Sequence, residues 1–231
     1  AARFGVASAI LLGDLALVWA DRALMESGVT QTELIQCQSI FCEMRDELMA
    51  GQYRDVLEGA LGTSSVERSL KVARYKSGKY SIERPLHFGA SLAGAESLNQ
   101  TYSKFGLPLG EAFQLRDDIL GIFGDPSVTG KPAGDDIREG KRTVLMAMTL
   151  ERAGQQTSAK ITAALGRADL TSDQIEDIRG LITATGAVKD VEDLIEGLLS
   201  NALTAANSDE IDPSARELLI ELATSATRRS H

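Results

Sequence analysis

One stretch near the middle of the chain is the most informative part of the sequence. Residues 113–125 read Phe-Gln-Leu-Arg-Asp-Asp-Ile-Leu-Gly-Ile-Phe-Gly-Asp. Apolar residues surround two adjacent acids at helical spacing, and Gln114 lies on the same helix face as Asp117. The neighbouring carboxylates of Asp117 and Asp118 repel each other, and a bound divalent cation would relieve that repulsion. The alternative is that Asp118 faces solvent and Asp117 pairs with Arg116 or another cation.

A glycine-rich loop with two spaced lysines follows this helix. Residues 129–136 read Thr-Gly-Lys-Pro-Ala-Gly-Asp-Asp, and residues 140–143 read Gly-Lys-Arg-Thr. Lys131 and Lys141 carry ammonium groups suited to phosphate oxygens, and the glycines allow the backbone to approach a ligand closely. Acids that can hold a hard cation beside amines that can hold phosphate indicate a metal-assisted diphosphate site. The alternative is a solvated surface loop with ordinary lysines.

Two weaker motifs lie upstream. Lys76, Ser77 and Gly78 stand where the sequence predicts the end of a helix, either as phosphate contacts or as a routine C-terminal cap. Gly51 lies inside a long predicted helix, where glycine costs about 1 kcal/mol relative to alanine. It therefore marks either close helix packing or the approach of a ligand. Taken alone, each motif has an ordinary structural explanation.

The whole sequence predicts helices and loops in a single all-α domain, residues 1–231. No segment shows the alternation of a β-strand. Capping-box pairs, Thr30 with Glu33, Ser64 with Glu67 and Thr171 with Gln174, predict three helix starts. The chemistry-bearing motifs are concentrated in the middle of the chain, and the C-terminal part is interpreted as scaffold.

Composition argues against some partners and compartments. The formal net charge of −9 makes nucleic acid an unlikely partner. The only cysteines, Cys37 and Cys42, match neither a disulfide framework nor a zinc motif, which favours reduced thiols in a cytoplasmic protein. The apolar run at residues 7–20 is interrupted by Asp14 and is too short for a membrane span. We therefore expect a buried helix there and no transmembrane segment.

Taken together, the order and spacing of these motifs resemble the trans-isoprenyl diphosphate synthases, or polyprenyl synthetases, over essentially the whole chain. The local sequences around Asp117-Asp118 and around Lys131-Pro132 are most similar to those of actinobacterial members of the family. The motifs that carry the resemblance are Gly13-Asp14, Gly51-Gln52 with Asp55, Lys76-Ser77-Gly78, Phe113-Gln114 with Asp117-Asp118, and Gly130-Lys131-Pro132 through Lys141-Arg142-Thr143.

The resemblance implies an isoprenoid synthase-type helical bundle around a central cavity, usually a homodimer. It implies condensation of an allylic diphosphate with isopentenyl diphosphate to a longer trans-polyprenyl diphosphate, with Mg²⁺ as the cofactor. Asp117 would bind the metal directly, and Asp118 would support it. The residues implied to be catalytic or to bind substrate are Asp117, Lys76, Ser77, Gln114, Lys131 and Lys141. The lysines would hold the allylic diphosphate, whereas Ser77 and Gln114 would present dipoles to the developing allylic cation.

The sequence departs from the family pattern in two places. Gly121 occupies the position where many members carry the last aspartate of the motif, so metal coordination would depend on Asp117, aided by Asp118 or Asp125. The first Asp-rich motif, Asp-Asp-x-x-Asp followed by an arginine pair, is absent. We expect that N-terminal helices with this motif are missing ahead of Ala1, that the full-length parent is the enzyme, and that this segment alone is inactive.

Two other functions use the same fold. A terpene cyclase is one, but the acid pair followed by a lysine loop differs from the mixed Asn/Ser/Glu motif of cyclases. A non-catalytic partner subunit of a prenyl synthase is the other, but such a subunit has no need for an intact region from Gln114 to Thr143. In the family, product length is set largely by bulky residues just upstream of the first motif, and this sequence does not include them. Geranylgeranyl diphosphate, a product of intermediate length, is therefore the expectation.

Overall fold

The computed structural model describes residues 2–62, 65–130, 132 and 134–229. Within these ranges the chain contains helices and loops and no β-strand, so the predicted all-α class is confirmed. The α-helices are α1 Ala2–Met25, α2 Gln31–Leu61, α3 Val66–Ala73, α4 Arg84–Leu92, α5 Asn99–Phe123, α6 Pro126–Thr129, α7 Asp135–Glu139, α8 Val144–Arg152, α9 Gln155–Ala164, α10 Ser172–Ala184, α11 Ala187–Ala206 and α12 Pro213–Arg228. A π-helical segment, Arg74–Glu83, joins α3 to α4, and a 3₁₀ turn, Glu96–Leu98, precedes α5.

Helix α5 lies at the centre of the fold. It packs most extensively against α11 on one side and against the π-helical segment on another. Phe105 and Leu109 in its first half join a core with α11 and α12, whereas Leu115 and Ile122 in its second half join a core with α8, α10 and α11. Because α5 is buried along its length, its polar side chains are held in fixed positions by the surrounding helices.

Two of the three predicted capping boxes are present, and the third involves Ser64, which lies outside the described residues. The Thr30 hydroxyl accepts a hydrogen bond from the Glu33 backbone N–H at 3.3 Å, and the Glu33 carboxylate accepts one from the Thr30 N–H at 2.7 Å. Thr171 and Gln174 make the same reciprocal pair at the start of α10. These contacts join residues three positions apart, which is why the local sequence was sufficient to predict them.

The predicted helix end at Gly78 is wrong. The chain remains helical from α3 through the π-helical segment into α4, and Gly78 lies inside that segment. Its lack of a side chain serves packing, because a Cβ on Gly110 of α5 would overlap the Gly78 Cα. A Cβ on Gly51 of α2 would similarly lie 2.8 Å from the Lys76 backbone nitrogen. Close helix packing is therefore the role that the structure gives to Gly51.

The prediction of a buried N-terminal helix is also wrong for this chain. Helix α1 is largely exposed, including the apolar side chains of Ile10, Leu11 and Leu12, because the described part of the chain does not cover it. One described ion pair, from Arg45 to Asp21 at 2.8 Å, ties α1 to α2. By length and composition alone, Arg3–Met25 is long and apolar enough to cross a membrane. The expectation of no such segment considered only the shorter run at residues 7–20.

Candidate active site

A cavity of about 170 Å³ collects most of the sequence-predicted residues. It lies where α3 and the π-helical segment face the second half of α5 and the segment from α7 to α8. Elements that are far apart in sequence therefore contribute side chains to one cavity, and Asp55 adds a side chain from α2. The polar residues lining it are Asp55, Ser69, Lys76, Gln114, Asp117, Asp118, Asp136, Lys141, Arg142 and Thr143. The cavity thus brings acids and amines together, as the sequence motifs predicted.

The two adjacent aspartates of α5 occupy different environments. Asp118 is 5% exposed, and its Oδ1 accepts a hydrogen bond from Gln114 Nε2 at 2.8 Å. The alternative in which Asp118 faces solvent is therefore wrong. The Asp117 side chain is 43% exposed, and its Oδ1 lies 3.1 Å from a guanidinium nitrogen of Arg229. Arg116, the other partner considered for Asp117, instead pairs with Glu192.

Burial raises the pKa of the Asp118 carboxyl group. Removal from water raises the pKa of Asp118 from 3.8 to about 8, against the opposing effect of the hydrogen bond from Gln114. The negative charges of Asp136 and Asp117 contribute to this rise in pKa, and the positive charge of Lys141 opposes it. A site that disfavours its own negative charge in this way is one that a bound cation would stabilise.

We expect the metal-free chain to lose stability through Asp118 as pH rises from about 4 to about 8. The folded state keeps the Asp118 proton to higher pH than the unfolded state, so deprotonation costs folding free energy across this window. Thermal unfolding at several pH values should show a steeper decline in Tm for the wild type than for Asp118→Asn. Parallel declines in the two proteins would contradict the assigned shift.

The π-helical segment places Lys76 in the cavity wall and Ser77 against Gln114 of α5. The Ser77 hydroxyl donates a hydrogen bond to Gln114 Oε1, and Gln114 in turn donates to Asp118. Lys76 Nζ lies 2.7 Å from Asp55 Oδ2. A relay of hydrogen bonds therefore runs from Ser77 to Asp118, with an ammonium group beside it. π-Helical turns are frequent at functional sites because they shift side chains relative to an ordinary α-helix.

The loop after α5 contributes Lys141 from the opposite wall. Lys141 Nζ lies 2.5 Å from Asp136 Oδ1 and 3.0 Å from Glu139 Oε2. Burial lowers the pKa of Lys141, but its hydrogen bond to Asp136 and the charge of that partner outweigh burial, and the net pKa is raised. Lys141 therefore stays a cation at neutral pH. Lys131, the other predicted phosphate ligand of this loop, lies outside the described residues, so its role stays a prediction.

Sequence reasoning missed two residues of the site. Asp136 was visible in the loop sequence, but nothing local indicated that it reaches the cavity wall. Arg229 follows the last helix and stacks over the Phe113 ring at 4.1 Å while it pairs with Asp117. No local signal could have found this contact, because it joins residues 112 positions apart.

The donor set suits Mg²⁺ better than a softer metal. Carboxylate oxygens are its preferred protein ligands, and it commonly takes one or two of them together with phosphate and water oxygens. Asp117 and Asp118 supply two such groups in one cavity. Among the described residues, no three His, Cys, Asp or Glu side chains are grouped so that they could hold a metal by themselves. The residues present fit a metal that a bound diphosphate helps to hold.

The fold and the site together define an isoprenoid synthase-type helical bundle with an acid-and-amine cavity beside its central helix. A sequence model of the polyprenyl synthetase family matches residues 1–182. The chain therefore belongs to the polyprenyl synthetase family. This confirms the resemblance drawn from the motifs.

Relatives of known activity and solved structure agree with this membership. Geranylfarnesyl diphosphate synthase of Aeropyrum pernix is 30% identical over 216 residues, which are 91% of this chain and 66% of the relative. A (2E,6E)-farnesyl diphosphate synthase of Mycobacterium tuberculosis is 30% identical over 189 residues, which are 80% of this chain and 52% of the relative.

The solved structures show the same fold. Geranylgeranyl pyrophosphate synthase of Corynebacterium glutamicum, solved in complex with isoprenyl diphosphate and magnesium, is 42% identical and superimposes with a TM-score of 0.94. The match covers 98% of this chain and 64% of that chain. The isoprenoid synthase-type fold is therefore confirmed. This chain spans about half to two thirds of the length of the relatives it matches.

Proposed function

We propose that the protein is a prenyltransferase that condenses an allylic diphosphate with isopentenyl diphosphate to a longer trans-polyprenyl diphosphate. Membership of the polyprenyl synthetase family supports this class of reaction. The structural observation that carries the proposal is the single cavity in which the acids of α5 face Lys76 and Lys141. The named relatives make products of farnesyl to geranylfarnesyl length, which supports geranylgeranyl diphosphate as the middle expectation.

The proposal includes dependence on Mg²⁺. Asp117 and Asp118 are the residues that would hold the metal, with Asp117 the more accessible of the two. When bound, the metal would neutralise the diphosphate and so make it a better leaving group. Asp117 would have to exchange its ion pair with Arg229 for the metal. An exposed ion pair of this kind contributes only about 0–1 kcal/mol, so the exchange is energetically feasible.

Lys76 and Lys141 would bind the diphosphate oxygens from two walls of the cavity. In the ligand-free chain each ammonium group is held by a carboxylate, Lys76 by Asp55 and Lys141 by Asp136. These ion pairs hold both ammonium groups at the cavity before a substrate arrives. Preorganised cations stabilise a developing negative charge without the reorganisation that water would require.

Gln114 and Ser77 would act on the allylic side of the reaction. The hydrogen bonds that link Ser77, Gln114 and Asp118 fix the orientation of the Gln114 amide. A fixed amide dipole can stabilise positive charge that develops on the allyl group as the diphosphate departs. Val72, Ala73 and Val144 also line the cavity and limit access of water to that charge.

Turnover by the protein expressed from its whole reading frame tests this proposal. An allylic diphosphate and labelled isopentenyl diphosphate are supplied with Mg²⁺, and the products are dephosphorylated and sized by mass spectrometry. A linear polyprenyl product that requires Mg²⁺ is the expected result. A cyclic hydrocarbon formed from the allylic substrate alone would identify a terpene cyclase instead. Activity only when a separate synthase is added would identify a partner subunit.

We also propose that the protein is a cytoplasmic homodimer. The exposed apolar side chains of α1 support a partner surface, because α1 lies within the family match and is not covered by the described part of this chain. The free thiols of Cys37 and Cys42 support a reducing compartment. Light scattering of the purified protein measures its mass, and a monomer at micromolar concentration would contradict the dimer.

A further inference from the structure

A buried cluster of charged and polar side chains lies at the C-terminal end of the π-helical segment. Glu83 is 4% exposed, and its Oε1 accepts a hydrogen bond from Ser103 Oγ of α5 at 2.6 Å. The other oxygen, Oε2, lies 3.7 Å from Lys79 Nζ and accepts no hydrogen bond from the described residues. Lys79 also donates to Glu47 of α2. The cluster therefore ties the end of the segment to two neighbouring helices.

Helix α4 completes the cluster with Arg84 and His87. Arg84 Nε donates to Glu47 Oε2 at 2.7 Å, and Arg84 Nη1 lies 3.2 Å from His87 Nδ1. Because arginine can only donate, His87 Nδ1 accepts, and the ring proton lies on Nε2, which donates to the Asn99 carbonyl at 3.0 Å. Burial lowers the pKa of His87 and so favours this neutral form. The cluster therefore has a defined pattern of donors and acceptors.

The packing of the segment on α5 depends on its π-helical register. A Cβ at Gly106 would lie 2.9 Å from the Glu83 Cα, and a Cβ at Gly110 would overlap Gly78. The two glycines of α5 are four positions apart, whereas their partners on the segment are five positions apart. The wider π-helical turns of the segment take up the extra residue. The segment and α5 therefore stay in contact at both points.

Loss of this register would move the end of the segment that faces the cavity. With Glu83 held in place, an α-helical path would shift Ser77 by about 1.5 Å along the axis and turn it by about 100°, the advance of one α-helical residue. The hydrogen bond from Ser77 to Gln114 would then be lost. Lys76 would leave its place beside Asp55 by the same movement.

We infer that the buried cluster positions the cavity end of the π-helical segment and that Glu83 is its central positioning residue. This inference rests on the proposed function, because Lys76 and Ser77 belong to the proposed site. Glu83 does not line the cavity. It acts through the π-helical register, which sets where Lys76 and Ser77 lie. The residues of the cluster are Glu47, Lys79, Glu83, Arg84, His87 and Ser103.

The variant Glu83→Ala releases this end of the segment from α5. In the protein expressed from its whole reading frame, turnover should fall about 10²-fold, the cost of a misplacement of about 1 Å. Affinity for inorganic pyrophosphate with Mg²⁺, measured by titration calorimetry, should fall about 10-fold, because Lys76 would lose a charge-assisted contact. Backbone amides of residues 74–83 should exchange faster with solvent. Unchanged turnover and affinity in the folded variant would overturn the inference.

A double-mutant cycle separates positioning from general loss of stability. If Glu83 acts through Lys76, then Glu83→Ala should add little to the loss of pyrophosphate affinity that Lys76→Ala causes alone. Independent losses that add in the double variant would show that Glu83 does not act through Lys76, and they would overturn the inference.

A milder pair of variants provides a matched control. The hydroxyl groups of Ser103 and Thr101 both lie in the first half of α5, and each donates to a glutamate at 2.6 Å, Ser103 to Glu83 and Thr101 to Glu210. Ser103→Ala should lower turnover and pyrophosphate affinity, whereas Thr101→Ala should leave both at the wild-type level. Equal losses in the two variants would overturn the inference alone. A wild-type protein that neither turns over the substrates nor binds pyrophosphate would overturn the proposed function as well.

Discussion

Replacement of Asp117 with alanine is expected to reduce turnover of an allylic diphosphate with isopentenyl diphosphate by about 10²–10³-fold or more. Both Asp117 and Asp118 line the cavity, and Asp117 is the more exposed of the two. Its loss removes the proposed direct ligand of the metal. The measurement is kcat/KM of the protein expressed from its whole reading frame, at saturating Mg²⁺.

The fold should tolerate this change. The described ion pair of Asp117, to Arg229, is partly exposed and contributes about 0–1 kcal/mol at most. The matched control is Asp193→Ala, which removes an exposed acid that pairs with Lys189 on α11, away from the cavity. Turnover that stays unchanged in Asp117→Ala would show that the acid pair has no part in the reaction. A loss of the same size in Asp193→Ala would show that the effect is not specific to the site.

Replacement of Gly110 with alanine is expected to lower the free energy of unfolding by about 1–3 kcal/mol or more. The added Cβ would overlap the Cα of Gly78 in the π-helical segment. The obstructing atoms of Gly78 all belong to the backbone, so no rotation of a side chain can relieve the overlap. α5 and the π-helical segment would have to separate, and the contact between Ser77 and Gln114 would lengthen.

Two measurements report on these consequences. Thermal unfolding should show a fall in Tm of about 2–4 °C for each kcal/mol lost in a chain of this size. Affinity for Mg²⁺ with pyrophosphate should also fall, because the relay from Ser77 to Asp118 depends on the same packing. Gly197→Ala is the control, since a Cβ at this helical position of α11 meets nothing within 4 Å. Alanine there should stabilise the chain by about 0.5–1 kcal/mol, and a Gly110→Ala protein that behaves the same way would contradict the close approach.

The identity of most site residues could be predicted because their motifs are local. Asp117, Asp118 and Gln114 lie within two turns of one helix, so helical spacing alone placed them together. Lys141 lies in the loop region that follows the same helix, and the sequence of that region predicted it as a phosphate ligand. Such short-range patterns carry the chemistry of the site. They do not determine how deeply each side chain is buried in the folded protein. The sequence therefore could not show that Asp118, and not Asp117, is the buried aspartate.

Other features depended on contacts between distant segments. Gly78 was predicted to end a helix because glycine is common there, but its actual role is set by Gly110, more than thirty positions later. The apolar pattern of α1 predicted burial, yet a pattern shows only that a face is apolar and cannot show what covers it.

By itself, the sequence determined the helical class, the capped helix starts and the set of acids and amines that define a polyprenyl synthetase. Each of these follows from interactions among residues a few positions apart. The tertiary structure alone decided that Asp136 takes the space beside Gly121, that Arg229 pairs with Asp117, and that Ser77 connects through Gln114 to Asp118. The physical reason is that these contacts arise only after helices far apart in the chain have packed, and packing is a property of the assembled core that no local stretch encodes.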